Sequence, residues 1–160
     1  MSIEGAPQQE KIKIDIDTVP LRGNDEDLES MKSVINTLRQ QINDEWKYER
    51  LLFAFGGSLN TNYTGEFFVA RSGEEIAGVA VASIDGEKGE LKAIFVPEDF
   101  RNKGIGQTLT EETMRYLLAH GVSKINASVT SPGALRIIEG LKERYPGLIE
   151  FVYHGDYFSH

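Results

Sequence analysis

Between Lys11 and Leu21 apolar and polar residues alternate, with Ile12, Ile14 and Ile16 on one side and Lys13, Asp15 and Asp17 on the other. A period of two predicts a half-buried strand, closed by Pro20. The spacing then lengthens. Leu28, Met31, Val34, Ile35, Leu38 and Ile42 recur every three or four residues, which predicts an amphipathic helix capped at Asn24 or Asp25. Asp44 to Phe55 predicts a second helix, carrying Trp46, Tyr48, Leu51, Leu52, Phe53 and Phe55 and ended by Gly56-Gly57-Ser58. Most of those aromatics suit helix packing.

Three β-prone runs follow, Glu66 to Arg71, Glu75 to Ile84 and Glu90 to Val96, separated by the turns Ser72-Gly73-Glu74 and Asp85 to Gly89. Connections that short predict an antiparallel meander. Ala77, Gly78, Ala80 and Ala82 in the middle run leave room for a helix to pack closely. Ile105 to His120 has helical periodicity, with Gly121 suited to a left-handed terminating position. Lys124 to Val129 reads as a strand. Ser131 then caps a helix with Pro132 at its first position and Leu135, Ile137, Ile138 and Leu141 on its apolar face; Tyr145-Pro146-Gly147 breaks it. Leu148 to Tyr153 is a last strand. The order β, α, α, β, β, β, α, β, α, β predicts an α/β (α+β) domain over residues 11–160, behind a flexible tail over residues 1–10.

Composition narrows the function. At 160 residues and 40% hydrophobic the chain can build one core, and its net charge of −8 argues against a nucleic-acid surface and against docking on anionic membranes. There is no cysteine, hence no disulfide, no zinc-thiolate site and no thiol nucleophile. No apolar run has transmembrane length, and MSIEGAPQQE lacks the basic and apolar regions of a signal peptide, so the cytoplasm is the expected location. His120, His154 and His160 have no metal-ligand spacing, and no metal is implied.

Candidate chemistry gathers in ELKAIFVPEDFRNKGIG, residues 90–106. An apolar strand passes through a polar turn into a helix start with glycines at 104 and 106, and such a start aims unpaired N–H groups and a positive dipole end at an anion. Arg101 and Lys103 add full charge. Leu109 stands where a dinucleotide-binding G-x-G-x-x-G would need its third glycine.

At Val96 and Arg101-x-x-Gly104-x-Gly106 the chain resembles the GNAT superfamily of acyl-CoA-dependent N-acyltransferases, over roughly residues 11–158. The resemblance implies a mixed, mostly antiparallel central sheet with strands four and five splayed apart and helices on both faces. It implies acetyl-CoA as co-substrate, held at Arg101, Asn102, Lys103, Gly104, Ile105, Gly106 and Gln107, with the pantetheine arm along the backbone of Ile94, Phe95 and Val96. Ser131 falls at the family's cofactor-contacting Asn and Ile138 at its thiolate-protonating Tyr, so both signature side chains are missing. Glu90, six residues before Val96, is the implied proton acceptor; its plain reading is a surface carboxylate after a turn, and a water chain ending on Glu66 or a backbone carbonyl is an equal alternative. The implied reaction is acylation of a primary amine, on a small molecule, peptide or protein, by direct attack in a ternary complex. The alternatives are a non-catalytic acyl-CoA sensor or interaction module, and a structural domain whose glycine turn only starts a helix. An abbreviated C-terminal strand region leaves an edge that a second subunit would cover in a homodimer.

Overall fold

The computed structural model describes residues 13–42, 64–129 and 132–153. Within them the order is β1 (Asp15–Leu21), α1 (Asp25–Gln41), β2 (Thr64–Ser72), β3 (Glu75–Asp85), β4 (Lys88–Phe95), a 3-10 turn (Glu98–Phe100), α2 (Ile105–Ala119), β5 (Lys124–Val129), α3 (Pro132–Arg144) and β6 (Ile149–Tyr153). The tail expected over residues 1–10, the helix expected over residues 44–55 with its aromatics, and Ser131 lie outside the described residues.

The strands form one sheet in chain order. β1 to β4 make the antiparallel meander, while β4, β5 and β6 run parallel because α2 and α3 carry the chain back between them. Pro20 does not close β1. It sits within the strand opposite Glu66, which an edge strand tolerates because its outer N–H row needs no partner.

Alternation assigns the two faces. Phe67, Val69, Ile76, Val79 and Val81 form one core cluster with Met31, Val34, Ile35 and Leu38 of α1. Phe68, Ala70, Ala80, Ala82 and Leu91 form the other, beneath Ile105, Leu109 and Leu117 of α2 and Ile138 and Leu141 of α3. The small residues of β3 do admit a helix: a Cβ on Gly78 would lie 2.8 Å from Leu109 Cδ1 and 3.1 Å from Ile105 Cγ2. Gly78→Val is therefore expected to destabilise the fold by about 1–3 kcal/mol, read as a lower urea midpoint at unchanged slope.

Polar side chains fix where α1 begins and ends. Asn24, not Asp25, is the cap, accepting the N–H of Asp27 at 2.8 Å. Asp27 is itself buried and receives Arg22 Nε and Nη2 at 3.0 and 2.8 Å. Those hydrogen bonds hold its carboxyl below the usual carboxylate range, against the opposing effect of burial. At the other end, Gln41 accepts from the backbone N–H of Ile76 at 2.8 Å and donates to its carbonyl at 3.0 Å. Ile76 lies where the β2–β3 register slips, so Gln41 supplies partners the ladder does not.

Candidate functional site

β4 is shared unequally between its neighbours. Its pairing with β3 runs on to Val79↔Phe95, but its pairing with β5 ends at Leu91↔Ala127. Beyond that row the two parallel strands part, and β5 continues with β6 alone. The split begins at a bulge: Ala82 faces Leu91 and Val81 faces Ala93, leaving Lys92 as the extra residue. A bulge bends its strand and increases its local twist, which turns the end of β4 away from β5. Pro97 ends the strand but does not start the separation.

The chain then crosses the mouth of the split. Phe100, buried in the α2-side core, anchors the 3-10 turn, and its N–H bonds the Pro97 carbonyl at 2.9 Å. Arg101 Nε donates to the Val96 carbonyl at 3.1 Å, tying the turn to the end of β4. Lys103 Nζ lies 5.6 Å from the Phe100 ring centroid, a cation–π distance. Asn102 and Gly104 take left-handed conformations, with φ of 62° and 78°.

α2 starts differently from α1. Its cap, Gly104, has no side chain to accept an N–H, and its first turn carries no carboxylate. Thr108 makes the first return bond, N–H to the Gly104 carbonyl at 3.0 Å. The N–H groups of Ile105, Gly106 and Gln107 therefore have no partner within the helix and converge on the turn, as anion recognition requires.

The two glycines of the turn have different reasons. Gly104 is required by its φ. Gly106 is not: its φ is not positive, and a Cβ there would meet only Ile137 Cδ1 at 3.5 Å and Val96 Cγ2 at 3.7 Å, ordinary contacts. The fold itself would accept alanine, and glycine in a helix costs about 0.5–1 kcal/mol relative to alanine. What glycine preserves is a notch between the end of β4, the start of α2 and α3.

The candidate carboxylates lie on opposite faces. Glu66 shares the α2 face with Phe68 and stands near Tyr116, whose phenol is pushed up by burial and by the charge of Glu66. Glu90 shares the α1 face, exposed, between Ser83 of β3 and Asn126 of β5 in register. Ser83 is 95% buried, with 5% of its surface exposed, so Glu90 borders a polar position that water scarcely reaches. Neither neighbour is legible in the sequence, because each is set by strand register. Ile138 is buried in the core among α2 and β5 residues, so the position corresponding to the family's acid carries a packing side chain.

A meander that turns parallel at its fourth strand, splits there, and sets a glycine turn at the mouth of the split defines an α/β protein of acetyltransferase type. The profile of the acetyltransferase (GNAT) family matches residues 29–138, and the chain belongs to that family. A protein of Chlorobaculum tepidum described as an uncharacterized N-acetyltransferase is 34% identical over 79 residues, 49% of this chain and 50% of its own length. The PanD regulatory factor of Salmonella typhimurium is 34% identical over 58 residues, 36% of this chain and 46% of its own. The chain thus spans about half the length of the curated relatives it matches. An aminoglycoside acetyltransferase from an uncultured soil metagenomic sample, solved with sisomicin, shares the fold with a TM-score of 0.53 at 19% identity. The match covers 88% of this chain and 93% of that one.

Proposed function

We propose that the chain is an acetyl-CoA-dependent N-acetyltransferase that acylates a primary amine by direct attack. The observation that carries this reading is the uncapped start of α2, placed at the mouth of the β4–β5 split. The N–H groups of Ile105, Gly106 and Gln107, with Lys103 and the outer nitrogens of Arg101, suit the diphosphate of the co-substrate. The backbone of Ile94 and Phe95, which has no β5 partner, suits the pantetheine amides as an added half-strand.

Phosphates at α2 lie on the α2 face, and an arm threading the split brings the thioester toward the α1 face. Glu90 is on that face; Glu66 is not. An alkylamine has a pKa near ~10.4, so it arrives protonated and must lose a proton before its nitrogen can attack. Glu90 takes that proton, directly or through one water. The N–C bond then forms as the C–S bond breaks, and a backbone N–H at the end of β4 faces the charge that develops on the carbonyl oxygen. The departing thiolate is protonated by solvent, since Ile138 offers no acid. With a thiol pKa near ~8.5 it is a tolerable leaving group without one.

A second reading, an acyl-CoA-binding regulatory module without transfer activity, is favoured by the missing acid at Ile138 and by the similarity to the PanD regulatory factor. One experiment separates the two: thermal shift with acetyl-CoA, alongside thiol release in the presence of a panel of small amines and N-terminal peptides. A shift with amine-dependent thiol release is expected. A shift without release on any amine supports the regulatory module, and no shift at saturating acetyl-CoA removes both readings.

A further inference from the structure

The C-terminal end of α2 gathers a second set of polar groups, on the sheet face away from Glu90. Glu66 and Phe68 belong to this face of β2, and Tyr116 of α2 packs against them. The Tyr116 ring meets Phe68 edge-on, with centroids 6.0 Å apart, and the His120 ring lies 4.3 Å from it. His120 is exposed, and its Nδ1 is 2.8 Å from the Tyr116 carbonyl. A carbonyl only accepts, so Nδ1 carries the proton and Nε2 of the neutral ring is an acceptor. The fifteen residues of α2, about 22 Å of helix, separate this end from the glycine turn.

What this end lacks is a cation. α1 has Arg39 in its last turn and α3 has Lys142 and Arg144, charges that suit the negative end of a helix dipole, but α2 has no basic residue there. Other carboxylates have basic partners: Asp27 has Arg22, Asp17 has Arg71 and Glu111 has Arg144. Glu66 is half-buried and has no such partner among the described residues, and the Tyr116 hydroxyl has no hydrogen bond among them. Burial and the charge of Glu66 push that phenol up, where a neighbouring cation would do the opposite. A carboxylate, an uncompensated helix end and aromatic ring faces all attract positive charge. The field of a chain of net charge −8 draws cations in the same sense.

We propose that this end of α2 binds an organic cation of guanidinium type, its plane on the Tyr116 and His120 rings and its N–H fork on the Glu66 carboxylate. A guanidinium suits the site better than an ammonium does. It is flat and weakly hydrated, so it stacks on a ring while pairing with a carboxylate through two N–H groups; an ammonium is compact and strongly hydrated. His120 Nε2 and the Tyr116 oxygen are further acceptors for the remaining N–H groups. A free guanidino compound and an arginine side chain of a partner protein present the same group. The site lies on the opposite sheet face from Glu90, so the inference stands apart from the acyl-transfer reading.

The test follows backbone amide signals by nuclear magnetic resonance as methylguanidinium chloride, methylammonium chloride or sodium chloride is added to the full chain. Wild type, Glu66→Gln and His120→Ala are compared. In the wild type, methylguanidinium is expected to shift the amides of Phe68, His120 and Gly121 to saturation, methylammonium to bind more weakly, and sodium chloride to give no saturation. Glu66→Gln should weaken methylguanidinium binding about tenfold, as expected for a lost charged hydrogen bond. His120→Ala should weaken it about two- to fivefold, the contribution of an exposed cation–π contact. Both variants should keep the wild-type spectrum away from this end of α2. Equal binding of methylammonium, the same shifts with sodium chloride, or undiminished binding to Glu66→Gln each overturns the inference. A capped arginine tripeptide, acetyl-Gly-Arg-Gly-amide, decides the source of the cation once the site is established. Binding tighter than that of methylguanidinium assigns the site to an arginine of a partner protein, and equal or weaker binding assigns it to a free guanidino compound.

Discussion

Gly104→Glu is expected to weaken acetyl-CoA binding by at least about a hundredfold. The cap position has φ 78°, where any residue with a Cβ is strained by roughly 1–2 kcal/mol. The larger effect is electrostatic. A carboxylate at this position caps the N–H groups of Ile105, Gly106 and Gln107 itself and repels a diphosphate approaching them. Hydrogen bonds to a charged group contribute roughly 1.5–3 kcal/mol each, so losing two exceeds the roughly 2.8 kcal/mol that a hundredfold represents. Titration calorimetry measures the change directly. Unchanged affinity would place the anion site elsewhere. Gly106→Ala is the informative companion, because the fold accepts the methyl: stability should rise by about 0.5–1 kcal/mol while affinity falls, as the notch between Val96 and Ile137 fills. A variant that gained stability and kept its affinity would show that the donor does not enter that notch.

Glu90→Gln is expected to lower kcat/KM for amine acetylation by about 10²- to 10⁴-fold near neutral pH, the usual contribution of one general base. Acetyl-CoA affinity should stay within about twofold, because Glu90 faces away from α2, where the proposed donor site lies. The sign of the pH dependence follows from the amine. As pH approaches ~10.4 the acceptor deprotonates without help, so the deficit should shrink steadily with rising pH. A rate–pH profile of thiol release checks this, and a profile superimposable on the wild type would discard Glu90 as base. Glu66→Gln is the control: its carboxylate lies on the opposite face beside Tyr116, and it should alter the rate little.

Each strand and α-helix of the described chain was legible because its signal is local. The alternation of Ile14 and Ile16, the three- and four-residue spacing from Leu28 to Leu38, and the pairing of Pro132 with Tyr145-Pro146-Gly147 act within a few residues. The helix end at Gly121, with φ 72°, followed from glycine's freedom from a Cβ clash, whereas the left-handed conformation of Gly104 came from the structure. The start of the β4–β5 split was not legible. Pro97 was the visible breaker, yet separation begins at Lys92, where a register slip against β3 depends on how two strands far apart in sequence align. Gln41 was equally opaque, since its role is to serve a backbone position 35 residues away.

The turn that leads into α2 shows where the two levels divide. By itself the sequence determined that a helix begins after Gly104 without a capping side chain or a carboxylate, and that its N–H groups suit an anion, because helix initiation is governed by neighbouring residues. Only the tertiary structure decided what surrounds that start. It set the turn at the mouth of a split sheet, put Glu90 and Glu66 on opposite faces, buried Ile138, and brought Tyr116 alongside Glu66 and Phe68. Those relations arise from strand register and from two helices packing side by side on one sheet face. Such contacts join residues tens of positions apart, and no local preference encodes them.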